Sequence, residues 1–328
     1  MIVVFGAGAI GCFVGGMLAA SGTPVTLIGR AKAMAPLEGN FTVCALGGQP
    51  MAVPAMHVTR ATEPGALAQA STVLVCVKSG DTKDAARAIT ACAPQNARVI
   101  SLQNGVTNAT TLAGALGAER VTAGMFGFNV IQSPAGSFSQ VTEGEVVLGE
   151  TGADLVKTFQ PTEIHAATNP NIEGIQWTKL LMNLNNALNL LSGIGLKTQL
   201  QDRQWRRVLS VAMSEGIAVA RADGVRLERV GKVHPKLLPS LLRLPDILFS
   251  RVANAMLRID PAARSSMVAD YHAGRPSEIA WLNGFIVDRA AEHGLHAPVN
   301  TKICQLVNSA FAAEDRVDLN LSAGQLLQ

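Results

Sequence analysis

"MIVVFGAGAIGCFVGGMLAASGTPVTLIGR", residues 1–30, carries no charged side chain before Arg30. Two readings compete for it: an apolar signal or anchor, or the first strand and phosphate loop of a nucleotide-binding domain. A secretory signal starts with a basic segment, which is missing here. Gly, Ser and Pro also interrupt the run before an unbroken span of ~20 residues could form. The glycines Gly6, Gly8 and Gly11 instead make a G-x-G-x-x-G after the short apolar strand "IVVF". A helical stretch with a small-residue face (Gly15, Gly16, Ala19) follows, and then a second strand at "PVTLIG". In that context Gly6 makes the turn, Gly8 lets the backbone approach a pyrophosphate, and Gly11 permits close packing of helix on strand. Ala9 and Ile10, opening the helix, complete the expected cofactor loop.

Dinucleotide sites that prefer NAD place an Asp or Glu about 20 residues further on, where it binds the ribose 2′-hydroxyl. This chain has "TLIGRAK" there. Arg30, with Lys32 close by, offers a planar cationic fork suited to a 2′-phosphate, so NADPH/NADP is the expected cofactor. The missing acid also counts against FAD.

At 328 residues the chain exceeds the ~250–300 at which single cores stop growing, and two domains are expected. The 4% aromatic content and interspersed charges, netting +3, argue against a nucleic-acid platform and favour a small-molecule ligand. Five widely spaced cysteines without a C-x-x-C indicate neither a disulfide framework nor a zinc site, which fits a cytoplasmic protein. "HGLH" (His293, His296) reads as a helix end closed by Gly294, and no metal is expected. With no apolar span uninterrupted by polar residues, the chain is expected to be mature and soluble, without a membrane partner.

Through about residue 150 short β-rich runs alternate with helical stretches: "IVVF", 10–21, "PVTLIG", "TVLVCV", 81–92, "RVISLQ". Strand alternating with helix implies parallel βαβ units. Residues 121–150 read as a sheet extension. After about Asn171 strand signals almost vanish. "IQWTKLLMNLNNALNLLSG" predicts one long helix, followed by helices over 203–223, 261–272 and 276–293, with Pro261 and Pro276 placed in first turns. The expectation is an α/β domain over 1–170 with a mostly parallel sheet that binds NADP, and an all-α domain over 171–328 that carries substrate and catalysis.

Two further strands run directly into polar residues: "TVLVCVKSGD" into Lys78, and "RVISLQNGV" into Asn104. Ligands of open parallel sheets bind beyond the carboxyl ends of strands, so both side chains are expected at the cofactor crevice. On the long predicted helix, Lys179, Asn183 and Asn186 fall at i, i+4 and i+7, a polar stripe among leucines. A lysine on a mostly buried helix needs a partner or a function. Burial, and the dipole of a nearby helix N-terminus, would favour its neutral form and bring it toward the range of a general acid.

The segments "GAGAIG", "VCVKSGD", "SLQNGV", "WTKLLMN" and "RSSMVADYHAGRPSEIAWLNG", in this order, resemble the ketopantoate reductase (2-dehydropantoate 2-reductase) family over nearly the whole chain. The resemblance implies an N-terminal Rossmann domain, a C-terminal helical domain, an active site in the cleft between them and a place in pantothenate biosynthesis. It implies Lys179 as the general acid, and Asn104 and Asn183 as polar groups near substrate and nicotinamide. Lys78 becomes a cofactor and active-site contact, Ser266 a substrate contact, and Glu278 a residue at the nicotinamide end, shared between catalysis and cofactor binding. Glu278, read in the first turn after Pro276, also suits plain stabilisation of a helix terminus.

Three features depart from the family pattern. Ala187 stands where a second asparagine is usual, with Asn186 beside it as a substitute substrate contact. Ala263 replaces another substrate asparagine, and the segment around 230–260 is longer than in compact members. The two alanines remove polar partners, so ketopantoate is not expected to be the best substrate. In the long segment Lys232, Lys236, Arg243, Arg251 and Arg258 lie beside leucines, which would suit a membrane-surface helix, but Pro235, Pro239 and Pro245 break it. It reads better as a helical cover or a subunit interface, the latter making the protein a homodimer. The expected activity is NADPH-dependent reduction of a 2-keto acid to a 2-hydroxy acid. The alternatives are another two-domain dehydrogenase, of 3-hydroxy acid or opine type, and a non-catalytic NADPH sensor.

Overall fold

The computed structural model describes residues 1–39, 41–133, 136–231, 233–252 and 263–327. The chain divides into two compact units, Met1–Gln176 and Trp177–Gln328. The first is the α/β unit expected from the alternating pattern; the second is helical.

Among the described residues twelve strands fall in the first unit: β1 (Ile2–Phe5), β2 (Val25–Ile28), β3 (Thr42–Cys44), β4 (Met51–Ala52), β5 (Val58–Ala61), β6 (Thr72–Val75), β7 (Arg98–Ser101), β8 (Val121–Phe126), β9 (Val130–Ser133), β10 (Ser137–Gln140), β11 (Val146–Leu148) and β12 (Ala166–Thr168). Eight of them form one sheet in the order β12-β11-β8-β7-β6-β1-β2-β5. From β5 through β8 every pairing is parallel; β11 pairs antiparallel with β8 and carries β12 outward. Strand order reverses at β1, the switch point at which doubly wound sheets leave a crevice. The central strands β2 and β6 read VTLI and TVLV and are buried along their whole length, as strands covered on both faces must be. A second sheet, β4-β3-β10-β9, draws on both 42–52 and 130–140. Its first two strands left no periodic signal, being only three and two residues long.

Helices α1 (Ala9–Ala20), α2 (Ala31–Met34), α3 (Thr82–Cys92) and α4 (Asn108–Leu116) belong to this unit. In α1, Phe13, Val14, Met17 and Leu18 are fully buried against strand residues such as Val4, Leu27 and Val43. Its glycines are what allow this contact: a Cβ on Gly15 would stand 2.4 Å from Leu27 Cδ2, and one on Gly16 2.4 Å from Val43 Cγ1.

Helix α5 (Ile172–Asn183) leads into the second unit, followed by α6 (Asn185–Ser192), α7 (Leu196–Gln201), α8 (Arg203–Ala222), α9 (Leu238–Leu242), α10 (Asp246–Val252), α11 (Ser266–His272), α12 (Asn283–Glu292) and α13 (Pro298–Ala312). Three sequence expectations need correction. The single helix predicted over 175–193 is interrupted at Leu184, whose N–H is shared between the carbonyls of Leu180 (3.1 Å) and Leu181 (3.4 Å). Its backbone stays right-handed helical (φ −56°, ψ −26°), so α6 follows on from α5. The helix expected from Pro276 starts only at Asn283, because Leu282 (φ −112°, ψ −99°) is not helical; a single 3₁₀ turn, Ile279–Trp281, precedes it. Gly294 closes α12 with φ +64°, as expected of "HGLH". The helix expected over 261–272 begins only at Ser266, because Ser265 (φ −69°, ψ 159°) is extended and residues 263–265 are not helical; Pro261, Lys232 and Arg258 lie outside the described residues.

The described part of the long segment packs on α8 around Arg206, whose side chain is fully buried. Its guanidinium donates to the carbonyls of Leu200, Gln201, Leu242 and Leu244 and to Asp246 Oδ1 (2.7 Å), and lies over the Phe249 ring. Arg243 Nε reaches Ser210 Oγ at 2.7 Å, and that hydroxyl donates to the Pro239 carbonyl. The basic residues at 206 and 243 are thereby spent on backbone carbonyls, a carboxylate, an aromatic ring and a hydroxyl. Among the described residues no helix is long and apolar enough to cross a membrane.

The glycines of the first turn give a direct check. A Cβ at Gly11 would sit 1.9 Å from the Gly6 carbonyl oxygen, whereas one at Gly8 meets nothing within 4 Å. Gly11→Ala is expected to cost at least the ~1–3 kcal/mol of an overpacked core, and Gly8→Ala less than about 1 kcal/mol, read as urea-unfolding free energies. Equal losses would show that the close approach is not what the fold requires.

Candidate active site

Phe5, Ile28, Val75 and Ser101 lie in one row of the sheet, since Phe5 pairs with both Ile28 and Val75, and Val75 with Ser101. Whatever follows these four residues emerges from one sheet edge. Gly6, Gly29-Arg30, Lys78 and Asn104 all do.

Gly6 has φ +118°, and its bare Cα faces the β6 chain: a Cβ would stand 2.5 Å from Val77 N. The glycine turn is thus packed on the two residues before Lys78. Gly29 lets the end of β2 approach from the other side, a Cβ there standing 2.5 Å from Ala7 Cβ. Gly8 is exposed and is the N-cap of α1, with no side chain capping the helix. The amide groups that open α1 at Ala9 and Ile10 therefore border open space, the arrangement that helix N-termini offer to phosphate. Arg30 follows directly after Gly29, exposed, and its guanidinium has no ion-pair partner among the described residues. Beneath the loop, burial pushes the Cys12 thiol up to about 12 and Cys76 higher still, so neither supplies a thiolate.

Lys78 and Asn104 are held by a polar network that the sequence did not reveal. Ser79 Oγ donates to the Asn104 carbonyl at 3.0 Å, and Asn108 Nδ2 donates to the same carbonyl (2.6 Å) and to Ser79 Oγ (3.1 Å). Thr82 Oγ1 donates to Asn108 Oδ1 at 2.8 Å and accepts from Gln103 Nε2 at 2.7 Å. Gln103 also donates to the Val77 carbonyl, and its Oε1 accepts from Ser101. All five side chains are buried and satisfied, which ties the turn after β6 to the turn after β7. No motif advertises this network; the only sequence signal was a cluster of polar residues just past two apolar strands. Lys78 is half-buried and Asn104 exposed, its loop turning at Gly105 with φ +90°.

In the second unit Lys179 is buried, at 9% exposure, and its ammonium has no hydrogen-bond or ion-pair partner among the described residues. Burial lowers it from an ordinary 10.5 to about 8. The helix dipole plays no part: Lys179 stands seven residues beyond Ile172, two turns into α5, and the dipole fades within the first turn. Asn183 and Asn186 are half-buried on either side of the break at Leu184. Ala187 is fully buried. Ser266 is exposed at the start of α11, while Ser265 just before it is buried, its hydroxyl donating to the Asn186 carbonyl at 2.9 Å. The structure thus joins Ser266 to the polar end of α6 through its neighbour. Glu278 is half-buried just before the 3₁₀ turn, with no side-chain cap bond to that turn; the turn's Ile279 N–H goes to Ser277 Oγ instead. Among the described residues no group of three or more His, Cys, Asp or Glu side chains is arranged to hold a metal ion.

Comparison with known proteins bears on the same residues. The family model "Ketopantoate reductase PanE/ApbA" matches residues 2–153, and its C-terminal counterpart matches residues 171–310. The chain belongs to the ketopantoate reductase family. Two 2-dehydropantoate 2-reductases are each 30% identical to it: one from Halobacterium salinarum, over 94% of this chain and 98% of the relative, and one from Caulobacter vibrioides, over 76% and 81%. A crystal structure of a PanE/ApbA family ketopantoate reductase from Ralstonia eutropha superposes with a TM-score of 0.80 at 32% identity, covering 95% of this chain and 98% of that one. A D-mandelate dehydrogenase structure, 17% identical with a TM-score of 0.77, shares the fold.

For this member of the ketopantoate reductases, the burial of Lys179 has a measurable signature. Its folded-state pKa lies below the unfolded value, so between about 8 and 10.5 the unfolded chain binds more protons and stability rises with pH. Lys179→Met should remove that rise, about 2 kcal/mol between pH 7 and 9.5, from the difference between wild-type and variant unfolding free energies. A pH-independent difference would place the lysine in a solvated setting.

Proposed function

We propose that the protein is an NADPH-dependent reductase that converts a 2-keto acid, ketopantoate or a relative of it, into the 2-hydroxy acid. The observation that carries the reading is the buried Lys179, without a partner among the described residues, in a chain that also bears the complete glycine loop. A cation kept out of water with no partner among the described residues is complementary to an anionic, carbonyl-bearing ligand.

The first unit fits the cofactor. Its pyrophosphate would lie on Gly8 and the amides of Ala9 and Ile10, beside Gly6 and Gly11, where the missing Cβ of Gly8 leaves space. Arg30 would take the 2′-phosphate, and Lys78, Asn104 and Glu278 the nicotinamide side. NADPH bound there supplies the hydride. The protein's own task is then to orient the keto acid and deliver a proton to its carbonyl oxygen. Lys179, at about 8, is mostly protonated at neutral pH and only weakly holds its proton, as a general acid should. Asn183, Asn186 and Ser266 would supply neutral hydrogen bonds to the substrate, and Asn104 would serve as a further polar contact. Ala187 and Ala263 offer no such bond, so a 2-keto acid with a less hydroxylated side chain than ketopantoate should serve at least as well.

Purified protein should oxidise NADPH in the presence of a panel of 2-keto acids that includes ketopantoate. Turnover should fall as pH rises through about 8, where Lys179 loses its proton. Lys179→Ala should lower kcat by roughly 10²–10⁴ with NADPH affinity nearly unchanged. A folded, fully active variant would remove Lys179 from the chemistry, and tight NADPH binding without turnover on any acid would favour a sensor.

Cofactor choice is tested separately. Arg30→Ala should weaken NADPH far more than NADH, by the ~1.5–3 kcal/mol of a charge-assisted hydrogen bond. Equal losses for the two cofactors, measured by fluorescence titration, would take Arg30 out of the phosphate site.

A further inference from the structure

Asn189 is fully buried on α6, outside every motif of the family pattern. All of its amide's main hydrogen-bonding capacity is used, on three separate segments. Oδ1 accepts the Ser265 N–H at 2.9 Å; Nδ2 donates to the Ile194 carbonyl at 3.0 Å and to Gln199 Oε1 at 3.3 Å. The amide cannot be turned over. A backbone N–H faces one end and a backbone carbonyl the other, and reversing it would set donor against donor and acceptor against acceptor. Gln199 is held in turn by Asn185, with Nε2 to Oδ1 at 2.8 Å, so the group is anchored on α6 and α7 together. The Leu196 N–H also reaches across to the Ala263 carbonyl at 3.0 Å.

The element these bonds secure is the two-residue approach to α11. Ser265 is its N-cap, yet the Ser265 hydroxyl does not cap the helix; it is committed to the Asn186 carbonyl. Ser265 is therefore fastened to α6 twice, by its hydroxyl to residue 186 and by its N–H to residue 189. Ser266, the next residue, leaves the anchored one with its own side chain exposed. Fixing the backbone of one residue largely fixes where the next side chain begins.

We propose that Asn189 is a positioning residue that sets Ser266 at the register of Asn186 for substrate binding. The inference rests on the reading of Ser266 as a substrate contact given above. Asn189 itself touches no ligand. Its effect is exerted through the Ser265 amide, so it should change substrate KM through Ser266 and leave the dinucleotide site alone.

The test is a double-variant cycle with NADPH and ketopantoate as probes, comparing Asn189→Leu, Ser266→Ala and the combination, with Asn189→Asp as the conservative variant. Leu removes every hydrogen bond at similar volume; a carboxyl at 189 keeps the acceptor for the Ser265 N–H, and full burial beside the Ile194 carbonyl and Gln199 Oε1 favours its neutral form, which can donate to that carbonyl. Ser266→Ala and Asn189→Leu should each raise KM by about tenfold, with kcat changed less than about threefold and NADPH affinity unchanged. The combination should be no worse than the poorer single variant, and Asn189→Asp should recover most of the loss at pH 6. Losses that multiply in the double variant would overturn the proposal, as would an Asn189→Leu enzyme with unaltered KM or an Asp variant as impaired as Leu. Should Asn189→Leu fail to fold, Asn189→Ser enters the same cycle with the same outcomes. If Ser266→Ala alone leaves KM untouched, the substrate reading of Ser266 fails and the proposal with it. If Ser266→Ala raises KM and the Asn189 variants do not, only the positioning role fails.

Discussion

Backbone meets backbone where Gly6 and Gly11 close the first turn, and the rest of the α/β unit is arranged around that contact. A Cβ on Gly11 would lie 1.9 Å from the Gly6 carbonyl oxygen, and one on Gly6 2.5 Å from Val77 N. Only residues without side chains let α1 begin directly over the end of β1 while β6 ends at the same level. Because β1, β2, β6 and β7 are parallel and paired in one row, their continuations open on one edge. Glycine costs about 0.5–1 kcal/mol in helix interiors, yet α1 contains Gly15 and Gly16 as well as Gly11. The fold accepts that cost for the packing of Leu27, Val43 and Phe41 against the helix.

Two kinds of polar burial distinguish the chain. Ser79, Thr82, Ser101, Gln103 and Asn108 in one unit, and Asn185, Asn189, Gln199 and Ser265 in the other, are satisfied by one another and by backbone groups. Such networks rigidify the turns they cross, since each bond supports the next and any lost partner strands a buried dipole. Lys179 is the opposite case: a buried cation with no partner among the described residues, its proton loosened to about 8 by desolvation alone. The satisfied networks fix geometry. On the reading advanced above, the unsatisfied lysine holds the capacity for chemistry in reserve until a ligand supplies its counterpart.

Much of this was legible in the residues. Strand-helix alternation, the glycine spacing and the polar residues that end "TVLVCVKSGD" and "RVISLQNGV" are local patterns, and each maps onto one element of the sheet or its edge. Less legible were elements too short to show a period, such as the strands at 42–44 and 51–52, and breaks without Gly or Pro, such as Leu184 and Leu282. Periodicity registers which face is buried; it does not register where one hydrogen bond in a helical ladder is shared or lost.

The sequence by itself determined the change from strand-helix alternation to helices, the glycine turn after the first strand, the presence of Arg30 where an acid is usual, and the family to which the chain belongs. These follow from residue type at short spacing, where chain geometry leaves little freedom. Only the tertiary structure decided that Phe5, Ile28, Val75 and Ser101 end in one row, that Lys179 is desolvated without a partner among the described residues, and that Asn189 grips Ser265 alongside Asn186. Strand register, burial and hydrogen bonding across 76 residues of chain depend on which distant segments meet, and that is settled by packing of the whole core rather than by any local stretch.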